Sequence, residues 1–271
     1  MAFVQLSNVN VSFGARDLIK SATLTLMEGS RAALAGPNGA GKSTLMKIAV
    51  GQFKADSGDI AITKGARISY LPQTGIVLGS GSVFDEAETA FSHIAGMIDR
   101  QEEVGRQLQD PGLEGRAMAR LLEEFDAIGR AVESSGYFRR AERISEVLRG
   151  LGFEEKDFGK RTPALSGGWQ MRLALAKILL GDPDVMLLDE PTNYLDLEAR
   201  NWLENFLRGY RGGVLLVSHD RYFLDVTVNE VYELFNGKLT RYPGTFSAYE
   251  DRRARELAAI FELWERQQEE I

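Results

Sequence analysis

The 271-residue chain contains no cysteine. A disulfide framework and a thiolate metal site are both excluded, which fits a reducing compartment. Long apolar runs are missing too. None approaches the roughly 18 residues needed to cross a bilayer. The opening stretch MAFVQLSNVNVSF has neither the charged nor the apolar region of a secretory signal. The expectation is a soluble, cytoplasmic chain with no direct membrane insertion. An excess of basic charge is absent as well: 39 acidic against 32 basic residues leave a net charge of −7. Any contact with a polyanion must therefore be local. Histidine is scarce, with His93 and His219 the two present.

What is present is enough for one large domain or two small ones, with 44% hydrophobic residues and 28 glycines. Four short apolar runs read as strands of a parallel sheet covered on both faces: RAALA at 31–35, RISYL at 67–71, VMLLD at 185–189 and VLLVS at 214–218. Between Ser82 and Arg149 the pattern turns helical, with Met118, Leu121, Leu122, Phe125, Ile128 and Val132 at helical spacing. DPGLEG at 110–115 breaks that stretch into at least two helices. The tail SAYEDRRARELAAIFELWERQQEEI puts Leu257, Ile260, Phe261 and Trp264 on one helical face. It reads either as a terminal helix docked on its own domain or as the start of a linker.

Ligands of open α/β sheets bind at the carboxyl ends of the strands, and the polar residues there carry the chemistry. GPNGAGKS, from Gly36 to Ser43, fits the phosphate loop G-x-x-x-x-G-K-[ST] between the strand 31–35 and a helix expected to begin near Lys42. Gly36, Gly39 and Gly41, with Asn38 between them, let N–H groups curl around a phosphate. Lys42 adds a point charge, and the hydroxyl of Ser43, followed by Thr44, can hold Mg²⁺. Asp189 and Glu190 end the strand VMLLD. Alone such a pair is often only a solvated helix cap. Beside a phosphate loop, Asp189 is the candidate metal ligand and Glu190 the candidate general base. His219, in VSHD, can reach a γ-phosphate from another strand end. Gln73 can sense the γ-phosphate or Mg²⁺ through its amide. Phe13 can stack on a base or serve as a core aromatic. No N-K-x-D stretch for reading guanine is present, so ATP is favoured over GTP.

A second anion site is written in LSGGWQMRLALA, which begins at Leu165. Ser166, Gly167 and Gly168 leave backbone N–H groups bare where a helix should start, and the helix dipole adds positive potential. The upstream loop already provides for a phosphate, so this second site awaits an anion from elsewhere.

In this order, the phosphate loop, Gln73, LSGG, VMLLDE, NYLD at 193–196 and His219 resemble the ATP-binding-cassette superfamily over residues 1–240. The resemblance implies an α/β fold: a P-loop NTPase cassette with a RecA-like core, an antiparallel β edge and an inserted α-helical subdomain. The core would be 1–82 and 165–240, with the helical subdomain and an arm-like insertion at 83–164. In that superfamily the LSGG segment binds the γ-phosphate of ATP held by a different cassette, across a head-to-tail interface. Ser166–Gly168 and the loop Asn193–Asp196 would then face a second cassette, either a missing C-terminal half or a second copy. LLDEPTNYLD and SHDRYFLD look like the ABC-F family, whose soluble tandem cassettes act on the ribosome. Residues 241–271 resemble the start of the linker between those cassettes, which reaches toward the peptidyl transfer centre and the P-site tRNA. The implied activity is Mg²⁺-dependent ATP hydrolysis, slow without a second cassette, with rRNA and tRNA as partners. Tyr194 stands where the family usually has histidine, and Trp169 where transporters usually have glutamine or glutamate. The alternatives are the ATPase subunit of a membrane transporter and an ATP-gated assembly module with little turnover. Arg139, Arg140, Arg252, Arg253 and Arg255 can meet RNA locally or be solvated helix faces.

Overall fold

The computed structural model describes residues 2–14, 16–110 and 112–269. In chain order these form β1 (Ala2–Phe13), β2 (Arg16–Met27), β3 (Arg31–Ala35), α1 (Lys42–Ala49), β4 (Ser57–Ile62), β5 (Ile68–Leu71) and α2 (Val83–Glu88). Then follow α3 (Ser92–Gln107), α4 (Gly115–Ser134), α5 (Arg140–Gly150), α6 (Gly167–Gly181), β6 (Val185–Asp189) and α7 (Leu197–Gly209). The chain continues through β7 (Gly213–Val217), α8 (Arg221–Thr227), β8 (Glu230–Phe235), β9 (Lys238–Pro243) and α9 (Phe246–Glu269).

The contacts divide the chain into two units, 1–75 with 183–271 and 76–182. The first holds two sheets. One is antiparallel, in the order β2-β1-β4; the other has six strands in the order β5-β6-β7-β3-β8-β9. In the larger sheet the five strands from β5 to β8 run parallel and β9 closes the edge antiparallel. β6 and β7 are buried at every position, as near-continuous apolar runs at the centre of a covered sheet should be. One core joins both sheets and α1: Leu6, Leu24 and Leu26 lie in it with Leu45, Met46, Ile48 and Leu187. Each such side chain contributes about 1.5–3 kcal/mol by leaving water. All four strands expected from sequence are present, within one residue at each end.

The second unit is helical. α2 opens on a capping box, in which the Ser82 hydroxyl accepts the Asp85 N–H and the Asp85 carboxylate accepts the Ser82 N–H. Buried Glu86, on α2, pairs with Lys177 on α6. α3 and α4 form a hairpin across the expected break, whose Pro111 lies outside the described residues. The division by contacts falls elsewhere than the boundaries expected from sequence. Residues 165–182 join the helical unit, not the core, because α6 packs on α2 and α5.

α9 is helical as expected. Its early turns are fastened: the Ser247 N–H donates to Asp225 at 2.7 Å, and Arg253 pairs with Glu233 at 2.8 Å. Further along, Leu257, Ile260 and Phe261 are each about half exposed. The Trp264 side chain lies outside the described residues.

Candidate functional site

The site is built on the turn between β3 and α1. Gly36, Gly39 and Gly41 all take positive φ (146°, 77° and 107°), which glycine adopts without strain. At Gly36 the requirement is also steric, because a Cβ there would stand 2.3 Å from the Leu234 carbonyl oxygen. These turns shape a concave loop of N–H groups suited to an anion. α1 follows with no side-chain cap and no acidic residue in its first turn, so its positive end is open to an anion as well. Lys42 donates from Nζ to the carbonyls of Gly36 and Pro37 at 2.8 and 3.2 Å. Its pKa is lowered by burial, against the opposing charges of Asp189 and Glu190.

The strand ends supply the acidic side. Asp189, 2% exposed, closes β6 and accepts the Ser43 hydroxyl at 2.6 Å. The Tyr70 pKa is pushed up to about 12, first by burial and then by the Asp189 charge. Glu190 follows in a left-handed conformation (φ 55°), a strain of about 1–3 kcal/mol that the surroundings must hold. Its N–H donates to the Val217 carbonyl at 2.8 Å. Its carboxylate receives the His219 N–H at 3.3 Å and approaches the His219 Nε2 to 3.4 Å. Burial raises the Glu190 pKa, and His219 works against that rise. The imidazole itself is 72% exposed.

Asn38, Gly39, Gly41, Lys42, Ser43, Thr44, Gln73, Asp189, Glu190 and His219 all line one cleft of about 410 Å³. Phe13 is not among the lining residues. It is 53% exposed and leans on Phe53 with ring centroids 5.8 Å apart, so it is not a core aromatic. Gly36 does not line the cleft either; it supports the loop against β8. Ser166, Gly167 and Gly168 open α6 in the helical unit. Ser166 makes no side-chain cap, and a Cβ at Gly167 would meet only open space. Asn193–Asp196 form the turn into α7, where Asp196 caps the helix and Tyr194 is 44% exposed. Two lining residues were not anticipated, Leu18 and Val217. Leu18 belongs to β2, a strand the apolar pattern does not announce, and packs against Gly41.

The oxygen-rich set suits a hard cation. Ser43 and Asp189 present adjoining oxygens, and among the described residues no three acidic or histidine side chains converge on a metal position. Mg²⁺ held in such a place keeps few protein ligands and takes the rest from phosphate and water. The residues present fit Mg²⁺ with a nucleotide phosphate.

Comparisons with known proteins agree with this arrangement. The family model described as "ABC transporter" matches residues 19–193. The chain is 37% identical to "Putative ATP-binding protein YdiF" of Bacillus subtilis, over all of this chain and 42% of that protein. It is 35% identical to "ABC transporter F family member 5" of Arabidopsis thaliana, over 99% of this chain and 39% of that protein. The chain thus spans about two fifths of the length of these relatives. Among solved structures, an ATP-binding subunit of an ABC transporter superposes with a TM-score of 0.67 at 19% identity, covering 89% of this chain and 90% of that one. A dimeric post-hydrolysis state of the ATP-binding cassette MJ0796, bound to ADP and Pi, gives 0.60 at 20% identity, over 89% of this chain and 98% of that one. At those identities the likeness is one of fold.

Proposed function

Because the chain belongs to the ABC transporter family of ATP-binding cassettes, we propose that it binds and hydrolyses Mg²⁺-ATP as one cassette of an F-type, ribosome-associated translation factor. The observation that carries the reading is the convergence of the phosphate loop, the Ser43–Asp189 pair and the Glu190–His219 pair on a single cleft.

In this reading the glycine loop and the N-terminus of α1 hold the phosphates, and Lys42 sits between the β- and γ-phosphates. Ser43 and Asp189, with Gln73, hold Mg²⁺, which when bound neutralises charge on the phosphate oxygens. Buried Glu190 takes a proton from the attacking water, and His219 holds that water and the γ-phosphate in line. Phe13, exposed beside Phe53, stacks on the base. The bare N-terminus of α6 at Ser166–Gly168 binds the γ-phosphate of a nucleotide held by a second cassette, with Asn193–Asp196 on the same head-to-tail interface. One cassette alone then turns over slowly.

Support for the F-type assignment comes from relatives of that name and from NYLD at 193–196. The α3–α4 hairpin and the half-exposed stripe of α9 fit an arm and a linker that meet rRNA and tRNA. The reading is tested with the longer, two-cassette protein carrying Glu190→Gln and the equivalent change in its second cassette. It is sedimented through sucrose with ribosomes, with and without ATP. ATP-dependent co-migration is expected. Tight ATP binding without ribosome association would overturn the ribosomal part and direct attention to a membrane partner.

A further inference from the structure

We propose that Thr192 and Ser218 are positioning residues that hold Glu190 against His219, an inference that rests on the hydrolytic role given to that pair above. Glu190 and His219 stand on different loops, one after β6 and one after β7. Their alignment depends on what ties the loops together. The Glu190 N–H is fastened to Val217, the last residue of β7. Pro191 follows and has no N–H to donate. Beyond it, the Thr192 and Ser218 hydroxyls meet at 3.1 Å.

Ser218 is more than a neighbour of His219. Its hydroxyl oxygen also accepts the Asp220 N–H at 3.1 Å, which fixes the backbone on the far side of the histidine. Asp220 in turn holds Arg200 at 2.7 Å and caps α8 through the Phe223 N–H at 3.0 Å. Both hydroxyls are partly buried, so the bond is sheltered from competing water. The left-handed backbone of Glu190 would otherwise relax, and relaxation swings its carboxylate away from the His219 N–H. The hydroxyl pair therefore acts through Glu190 and His219 and touches no phosphate itself.

The test uses Thr192→Val, which keeps the side-chain volume and removes the hydroxyl, and Thr192→Ser, which restores it. The first readout is the ¹⁵N–¹H signal of the His219 amide in the nucleotide-free 271-residue chain. The signal is expected to move in Thr192→Val and in Ser218→Ala, and to return in Thr192→Ser. The second is single-turnover hydrolysis of Mg²⁺-ATP, expected to fall about ten- to a hundred-fold in Thr192→Val with the ATP dissociation constant unchanged. An unmoved His219 amide, or a Thr192→Ser variant as displaced as Thr192→Val, overturns the inference whatever the turnover. Absence of turnover in the parent chain with its second cassette supplied counts against the hydrolytic reading, while the amide signal still decides the tie.

Discussion

The Ser43 hydroxyl donates to the Asp189 carboxylate at 2.6 Å, joining the first turn of α1 to the end of β6 across 146 residues of sequence. A cation between them would take one oxygen from each. Asp189→Asn is expected to weaken Mg²⁺-dependent ATP binding at least ten-fold, on the order of 1.4 kcal/mol, with little change in metal-free nucleotide binding. A fluorescent ATP analogue titrated with and without Mg²⁺ separates the two. Equal loss in both conditions would mean that Asp189 serves the loop, not the metal.

Gly36→Ala tests the loop from below. The new methyl would meet the Leu234 carbonyl at 2.3 Å from a φ of 146°. Backbone overlap and conformational strain together cost about 2–5 kcal/mol. Thermal unfolding should show a drop of that order. Nucleotide affinity should fall with it, because α1 and the loop must shift to admit the methyl. Wild-type stability would show that β8 gives way easily.

Strands buried on both faces announce themselves as apolar runs, and so β3, β5, β6 and β7 were legible before the fold was known. β8 is buried at all but its last residue, yet its sequence EVYELF carries Glu230 and Glu233. Arg241 from β9 and Arg253 from α9 neutralise them, and both partners come from later in the chain. β4 is exposed at every position and has no apolar stripe to read. β1 and β2 pair through several register irregularities, which break simple alternation. The phosphate loop was legible because glycine spacing records backbone geometry directly. Leu18, Val217 and Tyr70 were not, because strand pairing sets the faces they present. Phe13 was legible only as an aromatic that either stacks or fills the core; the structure leaves it exposed beside Phe53, which removes the second alternative.

Glu233 anchors α9 to the strand beneath the phosphate loop. Its carboxylate accepts the Tyr249 hydroxyl at 3.1 Å and the Arg253 Nε at 2.8 Å. Burial and the Glu233 charge both push the Tyr249 phenol up, so it stays a donor at any physiological pH. In Glu233→Ala, Arg253 keeps a 3.8 Å approach to Glu256 and its place over the Phe235 ring, 5.1 Å from the centroid, while its side chain is 17% exposed. The loss should be about 1–3 kcal/mol, concentrated in α9. Hydrogen exchange is expected to quicken over the first three turns of α9 and stay unchanged in β6 and β7. Undisturbed protection in α9 would place its anchorage elsewhere, in the Asp225–Ser247 cap or the Arg221–Glu250 pair.

Glu190→Gln should separate binding, chemistry and stability in one variant. In the proposed role of proton acceptor Glu190 must be ionised, and its folded pKa is raised, chiefly by burial. The acid limb of the turnover profile is therefore expected above the ordinary glutamate value of about 4.3. Turnover in Glu190→Gln should fall on the order of 10²–10⁴ while ATP still binds. The stability effect has the opposite sign. A carboxyl with a raised folded pKa contributes stability that is fully present below its unfolded value. That contribution is lost as pH rises through the folded one. At neutral pH the parent chain therefore carries the burden of a buried charge, and Glu190→Gln, which never ionises, should unfold at a higher temperature. The gap should close as pH falls below about 4, where glutamate becomes protonated in both states. Thermal melts across that range provide the check: a variant less stable than the parent at neutral pH would show that the bonds from His219 outweigh the burial of Glu190.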